Sequence, residues 1–310
     1  MAENVPVIYT TCKNGCQYLL TRKSLQQAAI FDILAVALIC TRMLLFIILF
    51  WMAFDMDNTT DFRGSANKFT GLVRRCVEDY HMIADGETIA VGVSGGKDSI
   101  SLLYALANLR RYYPKRFSIY AVTLDMGFEG MDFSPVGKLC EDLRIPYLCK
   151  QTDLAKVIFD ERKEKNPCAL CAKMRRGALH DAIKEMGISK IALAHHFDDA
   201  VETFLLSLIY EGRISCFQPV TYMDRSDVTQ IRPMLYIGEG TIIRLIREYD
   251  LPVVENLCPM NGVSKREEVK NLLKTLGESY PDIKSKVFGA MQRLPVAGWT
   301  PAEYARRPLP

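Results

Sequence analysis

Two glycines followed by lysine, aspartate and serine close an apolar run at Thr88–Leu103, TIAVGVSGGKDSISLL, a combination suited to holding phosphate. Gly95 and Gly96 lack a Cβ, so backbone N–H groups there can approach an anion, and a following helix would aim its positive end at it. Lys97 adds charge, and Ser94 and Ser99 add hydroxyl donors. Kinase-type P-loops put Ser or Thr directly after the lysine, whereas Asp98 follows Lys97, so a different nucleotide chemistry is implied. The plainer reading is a glycine turn capped by Asp98 or Ser99.

A second constellation is LAHHFDDAVETF, with His195, His196, Asp198, Asp199 and Glu202. Carboxylates here could bind Mg²⁺ riding on ATP phosphates or accept a proton. Asp199 as N-cap with Glu202 three residues later is equally a helix capping box. Asp125, ending an apolar strand, could reach a ribose hydroxyl or simply close a turn.

A third is NPCALCAKMRRG, where Pro167 opens a helix and Cys168 and Cys171 place two sulfurs on its first turn. The helix N-terminus favours thiolate. Structural zinc would want a second matched pair, a redox dithiol would be unusual this deep in the chain, and an iron–sulfur cluster has three thiolates if Cys258 of ENLCPMNG joins.

The elements that must position these groups alternate strand and helix, as in a parallel α/β sheet. A helix over Lys68–Met82 precedes strands at Thr88–Val93, Phe117–Leu124, Tyr147–Gln151, Lys190–Ala194 and Val228–Leu235. Helices are expected at Asp98–Tyr113, Ser134–Leu143, Val201–Tyr210 and Gly240–Tyr249, with a helical pattern from Ser264 onward. Right-handed crossovers then bring the motifs to one crevice at the strand C-termini.

At 310 residues, with 49% hydrophobic and 24% charged content, the chain can bury a large core and is not a disordered tail. A formal charge of +3 is compatible with RNA but does not argue for it alone. Basic clusters at Arg110–Arg111 with Lys115–Arg116, at Lys173, Arg175 and Arg176, and at Lys265, Arg266, Lys270 and Lys274 read as solvated helix faces. Ten cysteines in a chain this long fit reduced thiols better than a disulfide scaffold. Residues 28–54 form a hydrophobic stretch broken only by Asp32 and Arg42, long enough to span a bilayer. It is read first as an extension outside the enzyme, from an initiation site upstream of Met52 or Met56, and second as a membrane anchor.

SGGKDS, PCALCAKMRRG, AHHFDDAVET and the late NLCP together resemble the tRNA 2-thiocytidine biosynthesis proteins, members of the PP-loop or N-type ATP pyrophosphatases, from Lys68 to about Leu294. Ala194 stands where that family usually has glycine. The resemblance implies a Rossmann-like (adenine nucleotide alpha hydrolase-like) α/β fold, a parallel five-stranded sheet with helices on both faces and helical N- and C-terminal additions. The expected segments are a 1–55 extension, a 56–87 helical lead-in, an 88–260 ATPase domain, C-terminal helices over 261–294 and a 295–310 tail. It implies ATP bound by Ser94, Gly95, Gly96, Lys97, Asp98, Ser99, Asp125, His195, Asp198 and Asp199, with Mg²⁺, and catalytic roles for Lys97, Asp98, Asp198, Cys168 and Cys171. Cys168, Cys171 and Cys258 would hold a [4Fe–4S] cluster with one iron open to carry sulfur. The implied activity is cytoplasmic, ATP-dependent thiolation of an anticodon-loop cytidine to 2-thiocytidine. The implied partners are tRNA and a sulfur donor such as a cysteine desulfurase; a homodimer stays open. Alternatives are a PP-loop 2-thiouridine synthase, a PP-loop ligase, and a cluster-containing ATP- or RNA-binding protein without turnover.

Overall fold

Ile89, Ala90 and Val91 are fully buried because both faces of their strand are covered, which is why the sequence there is continuously apolar rather than alternating. In the computed structural model the described residues are 8–11, 17–20, 62–162, 167–259, 265–293 and 299. The chain divides into two units, Met1–Asp61 and Phe62–Pro310. In the first, β1 (Ile8–Thr11) and β2 (Gln17–Leu20) pair antiparallel. The hydrophobic stretch at 28–54 lies outside the described residues. Among those described, no helix is long and apolar enough to cross a membrane.

The second unit opens with α1 (Phe62–Asp79) and holds one six-stranded sheet. Its strands are β3 (Glu87–Gly92), β4 (Phe117–Asp125), β5 (Tyr147–Gln151), β6 (Lys190–Ala192), β7 (Val220–Met223) and β8 (Val228–Ile231), in the spatial order β5-β4-β3-β6-β8-β7. From β3 the chain moves outward to β4 and β5, then returns to the other side of β3 as β6. The C-terminal ends of β3 and β6 are therefore the switch point where a ligand crevice opens.

The helices are α2 (Lys97–Leu109), α3 (Ser134–Asp142), α4 (Leu154–Lys156, running on into a π-helical turn), α5 (Pro167–Glu185), α6 (Phe197–Glu211), α7 (Glu239–Glu248), α8 (Lys265–Ser279) and α9 (Ile283–Arg293). Alternation along the strands divides the core in two. Ile89 and Val91 pack with α2, α3, α6 and α7, whereas Ala90, Val122, Ile191 and Val228 pack with Ala182 and Ile183 of α5.

Two features differ from the sequence reading. The sheet has a sixth strand, β7, which pairs antiparallel with β8 as a hairpin. It escapes notice because it is four residues long and half-buried at an edge, and its turn depends on Asp227 adopting a positive φ of 51°. Trp299, in the segment read as tail, is fully buried, meeting Phe288 edge-on at 5.5 Å while its carbonyl accepts the Tyr80 hydroxyl.

Candidate active site

Strand β3 delivers Val93 to Gly96 into a tight turn, and α2 starts at Lys97 with Gly96 as its N-cap and no side chain capping its end. Gly95 has φ +82°, a left-handed conformation that glycine adopts without strain, and a Cβ there would lie 2.8 Å from Cβ of Val254. That approach is fixed by the Val254 N–H, which donates to the Gly95 carbonyl at 2.9 Å. Inside the loop, Ser99 Oγ accepts from the Ser94 N–H at 3.1 Å and donates to the Gly96 carbonyl at 2.9 Å. Lys97 Nζ lies 3.0 Å from Asp98 and 3.2 Å from Glu239. Burial works to lower the Lys97 pKa, but those two carboxylates outweigh it and hold the ammonium above its ordinary value.

The adjacent acids of α6 part company. The capping box is shifted from the Asp199–Glu202 pair expected from sequence: His196 is the N-cap and Asp199, at N3, accepts its N–H at 3.0 Å, while the other Asp199 oxygen takes Arg266 of α8 at 2.9 Å. Asp198 is buried, pairs with Lys284 of α9 and accepts the Glu239 N–H at 2.8 Å. Burial opposes ionisation of Asp198, yet Lys284 and that N–H hold its carboxyl below the usual range. His196 Nε2 sits 3.4 Å from Asp199 and 3.8 Å from Asp98. Burial, reinforced by the Asp199 charge, pushes the Glu202 carboxyl up to about 7.

Between these groups and α5 lies a cavity of about 530 Å³. Its walls include Ser94, Gly96, Asp98, Ser99 and Asp199 on the phosphate-loop side, Arg175 and Arg176 of α5, and Val122 and Leu124 of β4. Its back wall is a polar chain. Gln230 Nε2 donates to His180 Nε2 at 2.9 Å, which leaves the imidazole proton on Nδ1 to donate to Ser226 at 2.8 Å. Burial, with the Arg176 charge, lowers the His180 pKa and keeps that ring neutral. Arg232 continues the chain to Gln230 at 3.1 Å and Thr221 at 3.0 Å. The Arg232 guanidinium lies 4.9 Å from the Phe217 ring centroid, and the His195 ring packs against Phe217 at 4.8 Å. Burial first, then the Arg232 charge, pushes His195 down to about 4, so it is neutral at pH 7.

The structure brings Ser94, Gly96, Asp98, Ser99, His195 and Asp199 to this crevice, with Gly95 shaping its loop. Asp125 and Asp198 do not line it. Asp125 accepts the Gly127 N–H at 2.9 Å and closes a turn, beside a different cleft with Gln151 and Thr152. The basic residues read as solvated faces are only partly so: Arg175 and Arg176 line the crevice, and Arg266 and Lys270 turn to the acid cluster. Glu239, Arg266, Lys270 and Lys284 were missed because their partners lie at least 31 positions away in sequence; Arg232 was missed although Gln230, Thr221 and Gln218 lie within 14 positions, because no local motif marks it.

Cys168 is exposed, and Cys171 and Cys258 are partly so. Cys171 lies within electrostatic reach of Cys258 and Cys168, and although burial raises its pKa, the charge and hydrogen bond of Arg175 oppose that. On α5, Cys171 lies next to Ala172 and one turn before Arg175, both of which line the crevice. Among the described residues no three ligating side chains stand ready to hold a metal ion, and residues 163–166 and 260–264, which border both cysteine segments, lie outside the described set. An all-thiolate donor set is one that soft centres and iron–sulfur clusters take.

A family model described as a PP-loop domain matches residues 66–272. A tRNA-cytidine(32) 2-sulfurtransferase of Geobacter sulfurreducens is 36% identical over 227 residues, covering 72% of this chain and 88% of that protein. One from Aliivibrio fischeri is 35% identical over 234 residues, covering 74% and 76%. Among solved structures, the U34-tRNA thiolase NcsA from Methanococcus maripaludis with its [4Fe-4S] cluster shares the fold at a TM-score of 0.62 and 24% identity, over 75% of this chain and 79% of that one.

Proposed function

We propose, for a chain that belongs to the PP-loop family and to its tRNA-cytidine(32) 2-sulfurtransferase members, that it uses ATP to activate a tRNA cytidine and exchanges the C2 oxygen for sulfur. The observation that carries this reading is the hydrogen bond from Val254 to Gly95, which ties the SGGKDS turn to the segment bearing Cys258.

ATP lies with its phosphates on Ser94–Ser99, against the uncapped end of α2, and Lys97 exchanges a carboxylate for phosphate oxygen. Asp98 and Asp199, which line the crevice, are the carboxylates suited to Mg²⁺, while Asp198 orients α6 against α7 and α9. The cytosine O2 attacks the α-phosphorus; the O2–P bond forms, the α–β bridge breaks, and pyrophosphate leaves with the electron pair. Positive charge from Lys97 stabilises that departure. C2 is then electrophilic, and a sulfur nucleophile arriving there expels AMP. Neutral His195 is held by Phe217 beside the reacting base and can donate or accept a hydrogen bond without adding charge. Arg175 and Arg176 provide charge for the RNA or α-phosphate. A base must leave its stack to enter, which suits an anticodon-loop nucleotide.

Cys168, Cys171 and Cys258 would hold a [4Fe–4S] cluster; all three are free thiols with some exposure, and an all-thiolate donor set is what such a cluster takes. When bound, such a group supplies sulfur at an iron without a protein ligand, replenished by a donor such as a cysteine desulfurase. The test is anaerobic preparation of the full chain with iron and sulfide analysis, beside Cys258→Ala. About four irons per chain and a visible charge-transfer band, both lost in the variant, support the reading. Zinc, or no metal, in the wild type contradicts it.

A further inference from the structure

We propose that α8 provides a second cationic wall, made of Arg266 and Lys270, that grips the β- and γ-phosphates of ATP and then the departing pyrophosphate. The inference rests on ATP lying on Ser94–Ser99.

The two oxygens of Glu239 are shared between two lysines. Lys97 Nζ lies 3.2 Å from Oε1 and Lys270 Nζ lies 3.2 Å from Oε2. A lysine of the phosphate loop and one of α8 therefore face each other across a single anionic group. The same gap accepts phosphate oxygens once Glu239 moves aside. Arg266 approaches from the same helix, bonded to Asp199, itself a wall of the nucleotide crevice, and to Thr203 at 3.2 Å.

Ordinary surface ion pairs contribute little, and two isolated pairs would carry no argument. These are not isolated, because α8 is also held by contacts independent of them. Val269 and Leu273 are buried on its inner side, Tyr210 of α6 bonds Glu268, and Lys265 sits 4.5 Å over the Tyr210 ring. Packing therefore aims Arg266 and Lys270 at the acids. Their side chains remain 42% and 43% exposed, open to an incoming ligand. A triphosphate tail carries about four negative charges, and Lys97, with Asp98 beside it, is a poor match for them alone.

The test measures binding of MgATP, inorganic pyrophosphate and AMP to the full chain by calorimetry, for wild type, Arg266→Ala, Lys270→Ala and Lys270→Arg. The expected result is a loss of about tenfold or more for ATP and pyrophosphate in each alanine variant, AMP changing less than about twofold, and substantial rescue by Lys270→Arg; tenfold corresponds to about 1.4 kcal/mol. Equal losses for AMP and ATP would make α8 merely structural, and unchanged pyrophosphate binding would remove the wall altogether. Both outcomes overturn the proposal while leaving the ATP reading intact. A folded wild type that binds none of the three overturns the ATP reading and the proposal with it.

Discussion

Gly95 and Gly96 are neighbours in SGGKDS, yet substitution to alanine should separate them sharply. At Gly95 a side chain meets two penalties. The φ of +82° costs an L-residue roughly 1–2 kcal/mol, and a Cβ 2.8 Å from the Val254 Cβ forces backbone movement of the overpacking kind, roughly 1–3 kcal/mol. Together these give about 2–5 kcal/mol. At Gly96 the φ is −70° and an added Cβ meets only Ser94 Oγ, at 3.6 Å, an ordinary contact. With roughly 2–4 °C of melting temperature per kcal/mol for a unit of this size, Gly95→Ala should lose at least about 4 °C and Gly96→Ala about 2 °C or less. The displaced group is the segment carrying Cys258, so Gly95→Ala should also lower iron content after anaerobic preparation. Thermal unfolding of the two variants beside wild type is the assay. Equal melting losses, or a larger loss for Gly96→Ala, would refute the geometry of the turn.

Protonating Asp198 releases Lys284; because its folded pKa is depressed, its stabilising contribution is present above about pH 4 and is lost as pH falls through the folded value. Melting curves from pH 7 to 3 should therefore show a smaller acid-induced loss in Asp198→Asn than in wild type. Glu202 has the opposite sign: its folded pKa of about 7 lies above the ordinary 4.5, so the protonated form favours folding and that contribution fades as pH rises towards 7 and beyond. Stability measured between pH 5 and 8 should fall less steeply in Glu202→Gln. Arg232→Ala leaves the buried Gln230 amide oxygen without its Arg232 donor, at a cost of roughly 1–3 kcal/mol, and frees the part-buried Gln218 carbonyl, visible in urea unfolding as a lower midpoint with unchanged slope.

The tight glycine turn before α2 was legible because its cause is local: the glycines' freedom and flanking hydroxyls act within a few residues of one another. The alternation of strand and helix was legible for the same reason, and β5 falls at Tyr147–Gln151 as that alternation suggests. Which of Asp198 and Asp199 lines the crevice was not legible. Successive helical residues point about 100° apart, and the choice is made by Lys284 and Arg266, which lie 86 and 67 positions further on. The same distance hides the role of Glu239 and makes Arg266 and Lys270 look like an ordinary charged face. Asp125 could satisfy either a turn or a ribose from sequence, and the Gly127 N–H takes it.

Thiolation of a tRNA cytidine is read out by nucleoside analysis. The full chain, prepared anaerobically, would be incubated with MgATP, a sulfide source and an unmodified tRNA, and the digested tRNA examined by mass spectrometry, beside Cys171→Ala. The account predicts 2-thiocytidine from an anticodon-loop cytidine, with AMP and pyrophosphate formed in step, and none with the variant. Thiolated uridine in its place, or 2-thiocytidine made equally well without Cys171, would contradict it.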